Sequence, residues 1–216
     1  MACRVVVIFA VLFLTACGGG TKEKKSEAGK TVPVSDFPIL LDGRSLKGWE
    51  VTNFGPQGPV YVSGSNIILG MGDGCTGITW KGEFPLSNYE VSLEAKRVEG
   101  NDFFCGMTFP VGKDPCTLII GGWGGTTVGL SSIDGMDASE NETTTLIRFE
   151  KGRWYKIRLT VTDSEIQAFI DSARVVAFKY PGRRISIRPE VELSRPFGIA
   201  SWRTTAGLRN IKVSTF

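Results

Sequence analysis

The stretch Asn88–Lys96, NYEVSLEAK, decides the fold, because its apolar and polar residues alternate without a break. This period of two is typical of a β-strand with one buried face and one solvated face. The stretch Lys156–Thr162, KIRLTVT, repeats the pattern. Both stretches therefore predict strands of antiparallel sheets that cover a common core.

The same period continues from Phe37 to the end of the chain, with turn residues every eight to twelve positions and no convincing helical spacing. Asp163-Ser164 and Asp171-Ser172 are predicted as tight hairpin turns. About a dozen strands predict an all-β sandwich of two packed antiparallel sheets. The other candidate strands are Val60–Val62, Asn66–Leu69, Thr76–Trp80, Phe103–Phe109, Thr117–Gly121, Thr126–Ser131, Thr144–Phe149, Glu165–Ile170, Arg174–Phe178, Phe197–Ser201 and Leu208–Thr215.

The N-terminus resembles a bacterial lipoprotein signal. An apolar run, Val5–Leu14, follows Arg4 and ends in Leu14-Thr15-Ala16-Cys17. This predicts a signal peptide over 1–16, lipid attachment at Cys17, a flexible polar tether over 17–36 and one folded domain over 37–216. The protein is then expected in the bacterial cell envelope, periplasmic or surface-exposed, with the membrane as a partner through the lipid. An ordinary secretory signal is the alternative.

Charge and composition narrow the function. The formal net charge is +3, which gives no reason to expect a nucleic-acid partner. The chain contains no histidine, which excludes Ser-His-Asp and Cys-His nucleophile systems and histidine metal sites. Any catalytic base must be a carboxylate, lysine, tyrosine or cysteine, and a carboxylate is favoured outside the cell.

Three cysteines remain once Cys17 carries lipid and the signal is removed. A hairpin centred on Pro110–Pro115 places Cys116 opposite Phe109, with Cys105 on the same face but too far away to bridge. The odd number leaves two alternatives: buried thiols on strands, or one disulfide that involves Cys75. The three are Cys75, Cys105 and Cys116.

Three motifs occur in the order of a known family. They are LLDGRSLKGW at Leu40–Trp49, LSNYEV at Leu86–Val91 and RNI at Arg209–Ile211. Together they resemble the 3-keto-disaccharide hydrolase family over residues 37–216. The resemblance implies a concanavalin A-like jelly-roll sandwich and, in some members, cleavage of glycosides that are oxidised at C3. A C3 ketone acidifies the C2 hydrogen, so a carboxylate base would suffice without histidine.

The chain departs from the family pattern where polar residues are expected. Phe104–Pro110 lacks the family's asparagine and arginine, and Cys116–Gly121 is apolar where the family carries Glu-x-Gln-x-x-Asp. Ala200–Thr204 replaces a segment that contains a histidine. The resemblance therefore supports the fold more strongly than the activity.

Carboxylates are concentrated in the segment Ser131–Glu142. They predict either a catalytic acid and base or oxygen ligands for Ca²⁺, and a solvated acidic loop is the alternative. The segment does not match an EF-hand loop, and nothing in the sequence requires a cofactor. The candidate catalytic residues are Asp134, Asp137, Glu140 and Glu142.

Candidate substrate-binding residues include an unusual tryptophan. Trp123 lies within GGWGG at Gly121–Gly125, where flanking glycines leave the indole free to stack on a sugar ring. Its alternative is a tryptophan packed over a bulge. The other candidate substrate-binding residues are Arg148, Trp202 and Arg203. The alternative for Arg148 is that it neutralises Glu150. The arginines of Pro181–Pro189 are interpreted most simply as a solvated basic face.

These observations favour a glycoside hydrolase or lyase that acts on 3-keto-glycosides, with carbohydrate as its ligand. A non-catalytic, lectin-like binding module is the alternative, and a structural envelope protein without a site is a third. A groove that holds two of the four carboxylates beside Trp123 or Arg203 would favour the enzyme. A tryptophan-lined groove without convergent carboxylates would favour binding.

Overall fold

The computed structural model describes residues 45–216, which form two stacked antiparallel sheets of seven strands each. The predicted signal, Cys17, the tether and the first half of the Leu40–Trp49 motif lie outside the described residues. The first sheet has the order β1-β4-β13-β6-β7-β8-β9, and the second has the order β12-β11-β10-β5-β14-β3-β2. The strands are β1 Trp49–Val51, β2 Val60–Ser63, β3 Asn66–Leu69, β4 Cys75–Trp80, β5 Tyr89–Glu99, β6 Cys105–Val111, β7 Asp114–Gly122, β8 Thr127–Ser131, β9 Thr145–Leu146, β10 Tyr155–Val161, β11 Glu165–Ile170, β12 Ala173–Lys179, β13 Gly198–Trp202 and β14 Thr205–Thr215.

The core lies between the sheets and is made by the apolar face that the alternation predicts. Val91 and Leu93 on β5 are buried in the same apolar cluster as Leu118 and Ile120 on β7. Full burial of one such side chain stabilises the fold by about 2 kcal/mol. The all-β sandwich class is confirmed, and no helix within residues 45–216 is long and apolar enough to cross a membrane.

The predicted hairpin register is confirmed. Phe109 pairs with Cys116 and Cys105 pairs with Ile120 across β6 and β7. Cys75, Cys105 and Cys116 are all free and buried, so the alternative of a disulfide at Cys75 is wrong. Both predicted tight turns join antiparallel strands, β10 to β11 and β11 to β12.

Some local structure differs from the expectation. The strand β1 was not predicted, since three residues are too few to show an alternation. The strand predicted over Thr144–Phe149 shortens to Thr145–Leu146. Within the predicted loop Pro181–Pro189, Ile185 forms a bridge with Ile133, and a 3₁₀-helix follows over Pro189–Ser194.

This last segment covers part of the outer face of the first sheet. Ser132 and Ser186 exchange backbone hydrogen bonds of 2.6 and 3.1 Å. Further on, Thr79 Oγ1 donates to the carbonyl oxygen of Leu193 at 3.0 Å. The segment thereby forms one wall over strands that would otherwise face solvent.

Candidate functional site

A cleft of about 200 Å³ lies on the outer face of the first sheet. Its floor follows from strand alternation, because on β7 Leu118 faces the core while Thr117 and Ile119 face outward. The walls come from the loop before β6, the loop after β7, the segment that includes the 3₁₀-helix, and the end of β13. The lining residues are Cys75, Asp102, Phe103, Thr117, Ile119, Trp123, Ser131, Arg188, Glu190, Val191 and Trp202.

Trp123 projects from the glycine-rich turn between β7 and β8. Its backbone is in the left-handed region with φ of +46°, next to Gly124 at +84° and Gly125 at +106°. The register shifts between Ile120 and Gly122, so a bulge does lie beside it. Trp123 is nevertheless 43% exposed and lines the cleft, and its role in stacking on a sugar stays a prediction.

Arg97 holds the two loops on either side of the cleft together. Its side chain is buried on β5, and Nη2 donates to the carbonyl oxygens of Asp102, Gly121 and Gly125 at 3.2, 3.1 and 2.9 Å. The guanidinium also lies 5.3 Å from the centre of the Phe104 ring. Burial lowers the pKa of Arg97. The positions of Trp123 and Asp102 therefore depend on one buried cation.

Asp102 is one of the two carboxylate residues in the described part of the chain that line the cleft. Its Oδ1 accepts a hydrogen bond from the Phe103 amide at 2.7 Å, and its own amide donates to Thr204 Oγ1 at 3.1 Å. Among residues 45–216 no hydrogen bond or salt bridge reaches Oδ2, although the charge of Asp102 opposes the effect of burial on the pKa of the nearby Arg97. Asp102 thus combines a fixed backbone position with one available oxygen.

Arg188 lies between two other carboxylates. Its Nη2 and Nε donate to the two oxygens of Glu190 at 2.8 and 3.3 Å, and its Nη1 pairs with Asp137. The hydrogen bonds from Arg188 hold the pKa of Glu190 below its usual value, so this carboxylate is ionised near neutral pH. Asp137 also accepts from Ser131 and Ser132 at 3.2 and 3.1 Å, which connects it to the cleft wall.

The thiol in the cleft is unsuited to nucleophilic attack. Burial raises the pKa of Cys75 to about 12, and the nearby charge of Glu190 acts in the same direction. A thiol is a strong nucleophile only as the thiolate. Cys75 is therefore an apolar wall residue.

The structure does not bring the four predicted catalytic carboxylates together. Asp134 and Glu142 are both paired with Arg183, at 2.7 and 2.5 Å, and Glu140 is exposed. Asp137 is next to the cleft behind Arg188. Within residues 45–216 no group of three or more Cys, Asp or Glu side chains is arranged to hold a metal ion, and two of the proposed calcium ligands are engaged by Arg183.

The predicted binding residues divide into two pairs. Trp123 and Trp202 both line the cleft. Arg203 pairs instead with Asp73 at 2.7 Å, and Arg148 is exposed outside the cleft lining. Glu150 pairs with Arg153 at 3.8 Å rather than with Arg148.

Comparison with models of known protein families identifies the family of this chain. The 3-keto-alpha-glucoside-1,2-lyase-like domain matches residues 36–214. The chain belongs to this family. Comparison with curated protein sequences gave no match.

Solved structures share the fold of this lyase-like domain at low identity. A Bacillus subtilis protein with a galectin-like fold is 11% identical with a TM-score of 0.59, over 85% of this chain and 99% of that chain. The carbohydrate-binding module CBM66 from Bacillus subtilis is 15% identical with a TM-score of 0.52, over 78% and 96%. A non-specific endo-beta-1,3(4)-glucanase from family GH16 is 10% identical with a TM-score of 0.52, over 85% and 90%. The predicted jelly-roll fold is confirmed.

Sequence reasoning missed the charged residues that line the cleft of this lyase-like domain. The interpretation of Pro181–Pro189 as a solvated face agrees with the 43% exposure of the Arg188 side chain, but Arg188 also lines the cleft and pairs with Asp137 and Glu190. Asp102 lies in a polar turn, Gly100-Asn101-Asp102, that gives no pattern to single it out. Arg97 is a charged residue near the end of β5, at a position where the alternation predicts an apolar side chain that faces the core. This departure from the pattern could have identified Arg97 from the sequence.

Proposed function

We propose that the cleft binds a 3-keto-glycoside and that the protein cleaves it by elimination, with Asp102 as the base. The observation that supports this most directly is the free Oδ2 of Asp102 in a cleft lined by Trp123 and Trp202. Indole rings offer a flat apolar face on which a sugar ring can stack. Family membership supports the reaction class.

The reaction requires one base and one stabilised oxyanion. Asp102 takes the proton from C2, and the electrons of that C–H bond form the enolate of the C3 ketone. Arg188 has five N–H groups, of which three are engaged, so it has donors left for the enolate oxygen. The enolate then re-forms the ketone and a C1–C2 double bond as the C1–oxygen bond breaks.

Protons balance without a second catalytic acid. The alkoxide that leaves C1 takes a proton from Asp102 or from water, and the products are an alcohol and an unsaturated 3-keto sugar. Addition of water to the double bond would complete a net hydrolysis. No histidine and no thiolate takes part, in agreement with the composition and with the raised pKa of Cys75.

The second candidate is a non-catalytic, lectin-like module. It is favoured by the pairing of Glu190 and Asp137 with Arg188, which leaves Asp102 as the single cleft carboxylate outside an ion pair among residues 45–216. Sugar binding requires the indoles and polar groups but no free base. Likeness to CBM66 is compatible with this candidate.

The experiment compares 3-keto-glucosides with matched unoxidised glucosides, and follows the released alcohol and the ultraviolet absorption of the enone. We expect product from the oxidised substrates only. Asp102→Asn keeps an oxygen to accept from Phe103 and should lower the rate by at least about 100-fold, the usual contribution of a general base. Asp114→Asn, on an exposed residue at the start of β7, is the matched control.

The outcomes separate the candidates. Full activity of Asp102→Asn would exclude Asp102 as the base. Sugar binding without turnover of any 3-keto-glucoside would favour the lectin-like module.

We further propose that the domain is held at the cell envelope through lipid on Cys17, as the N-terminal motif indicates. Incorporation of labelled palmitate by the producing cells, and its loss in Cys17→Ser, test this. Incorporation that persists in the variant would refute attachment at this residue.

A further inference from the structure

The charges around the cleft are unevenly balanced. Arg188 is the one cation that lines it among the described residues, whereas Asp102 and Glu190 are lining carboxylates. Asp137 adds a third carboxylate through its pairing with Arg188. One guanidinium against three carboxylates leaves two negative charges.

Neighbouring cations do not reverse this balance. Arg203 lies 5.8 Å from the Trp202 ring but is neutralised by Asp73. Arg97 contributes a positive charge beneath the loops, yet it is only 5% exposed and donates to three carbonyl oxygens. Counting Arg97 still leaves one excess negative charge, and Arg97 is not among the residues that line the cleft.

We infer that the cleft selects saccharides without acidic groups and rejects uronic acids and other anionic sugars. This inference rests on the proposed function and specifies its substrate class. A sugar carboxylate in the cleft meets Asp102 directly and finds no cation that is not already paired. The unused N–H groups of Arg188 can bind the oxygen of a neutral 3-keto sugar, on which negative charge develops only as Asp102 is neutralised by the C2 proton, whereas a uronate brings a further charge while Asp102 is still ionised and the Arg188 charge is offset by Asp137 and Glu190. An ammonium group, in contrast, is attracted.

The test is a fluorescence titration of the purified protein, whose five tryptophans include Trp123 and Trp202 in the cleft, with three sugars of the same anomeric form. They are methyl α-glucoside, methyl α-glucuronide and methyl α-glucosaminide. We expect the glucuronide to bind about tenfold more weakly than the glucoside at low salt, the size expected for like charges about 7 Å apart in a partly screened cleft. The glucosaminide should bind at least as well as the glucoside. The difference should shrink as salt is added.

Two variants test whether the weaker binding of the glucuronide arises from the charge of the cleft. Asp102→Asn should narrow the gap between glucoside and glucuronide severalfold, whereas Asp114→Asn should leave it unchanged. If the glucuronide binds as tightly as the glucoside, the inference of selectivity is overturned. The proposed function is not, because turnover of neutral 3-keto-glucosides is measured separately. If none of the three sugars binds and no 3-keto-glucoside turns over, the proposed function fails together with the inference.

Discussion

Replacement of Arg97 by methionine tests whether one buried cation holds the cleft together. Nη2 has two hydrogens shared among three carbonyl oxygens, so two effective hydrogen bonds from a charged group are lost. At about 1.5 kcal/mol each they contribute about 3 kcal/mol. The Nε of Arg97 is buried without a hydrogen-bond partner, so removal of the guanidinium also removes a desolvation cost. The net decrease in the free energy of unfolding is therefore about 2 kcal/mol.

The assay is equilibrium unfolding in urea, followed by tryptophan fluorescence. With an m-value of about 2.5 kcal/mol/M, the midpoint should fall by about 0.8 M. Arg174→Met, at an exposed position on β12, is the control and should change the midpoint little. The variant should also bind sugar more weakly, because the loops that carry Trp123 and Asp102 lose a shared anchor. An Arg97→Met midpoint equal to that of the control, with unchanged sugar affinity, would refute the anchoring role.

Three further predictions concern the surface, the cleft and the thiols. Hydrogen bonds from Ser87 and Asn88 hold the pKa of Asp163 below its usual value. Its contribution to stability is therefore complete above the unfolded pKa of about 4 and is lost as the pH falls through the folded pKa. In Asp163→Asn the free energy of unfolding should fall less steeply with decreasing pH below about 4, and an unchanged pH dependence would contradict this. Trp123→Ala should weaken sugar binding at least about fivefold with little change in the urea midpoint, since the exposed indole contributes little to the core. If the variant binds sugar as tightly as the unsubstituted protein, Trp123 is not part of the binding site. Burial raises the pKa of Cys75, Cys105 and Cys116 to about 12, so mass spectrometry after iodoacetamide treatment should find all three unmodified until urea is added. Rapid native labelling of Cys105 or Cys116, which lie between the sheets, would show that the sheets open.

The strands could be predicted because alternation is a local property that the sandwich preserves. Asn66–Leu69 and Glu165–Ile170 match the observed strands residue for residue, and the β6–β7 register followed from two prolines at the hairpin. Burial of one face is what makes the pattern visible in the sequence.

The cleft could be predicted only in part, because it joins residues that are far apart in the chain. Trp123 and Trp202 stood out as aromatics in unusual contexts. Asp102 and Arg188 acquire their positions from contacts with Thr204 and Asp137, at sequence separations of 102 and 51 residues. The dense carboxylates of Ser131–Glu142 attracted attention, yet Asp134 and Glu142 serve to pair with Arg183.

The order of strands also has a consequence for biogenesis. β13 separates β4 from β6 in the first sheet, and β14 separates β5 from β3 in the second. Both strands come from residues 198–215, so until these have emerged each sheet exists only as two disconnected pieces with unsatisfied inner edges. Neither sheet can therefore be completed until synthesis of the chain is nearly finished.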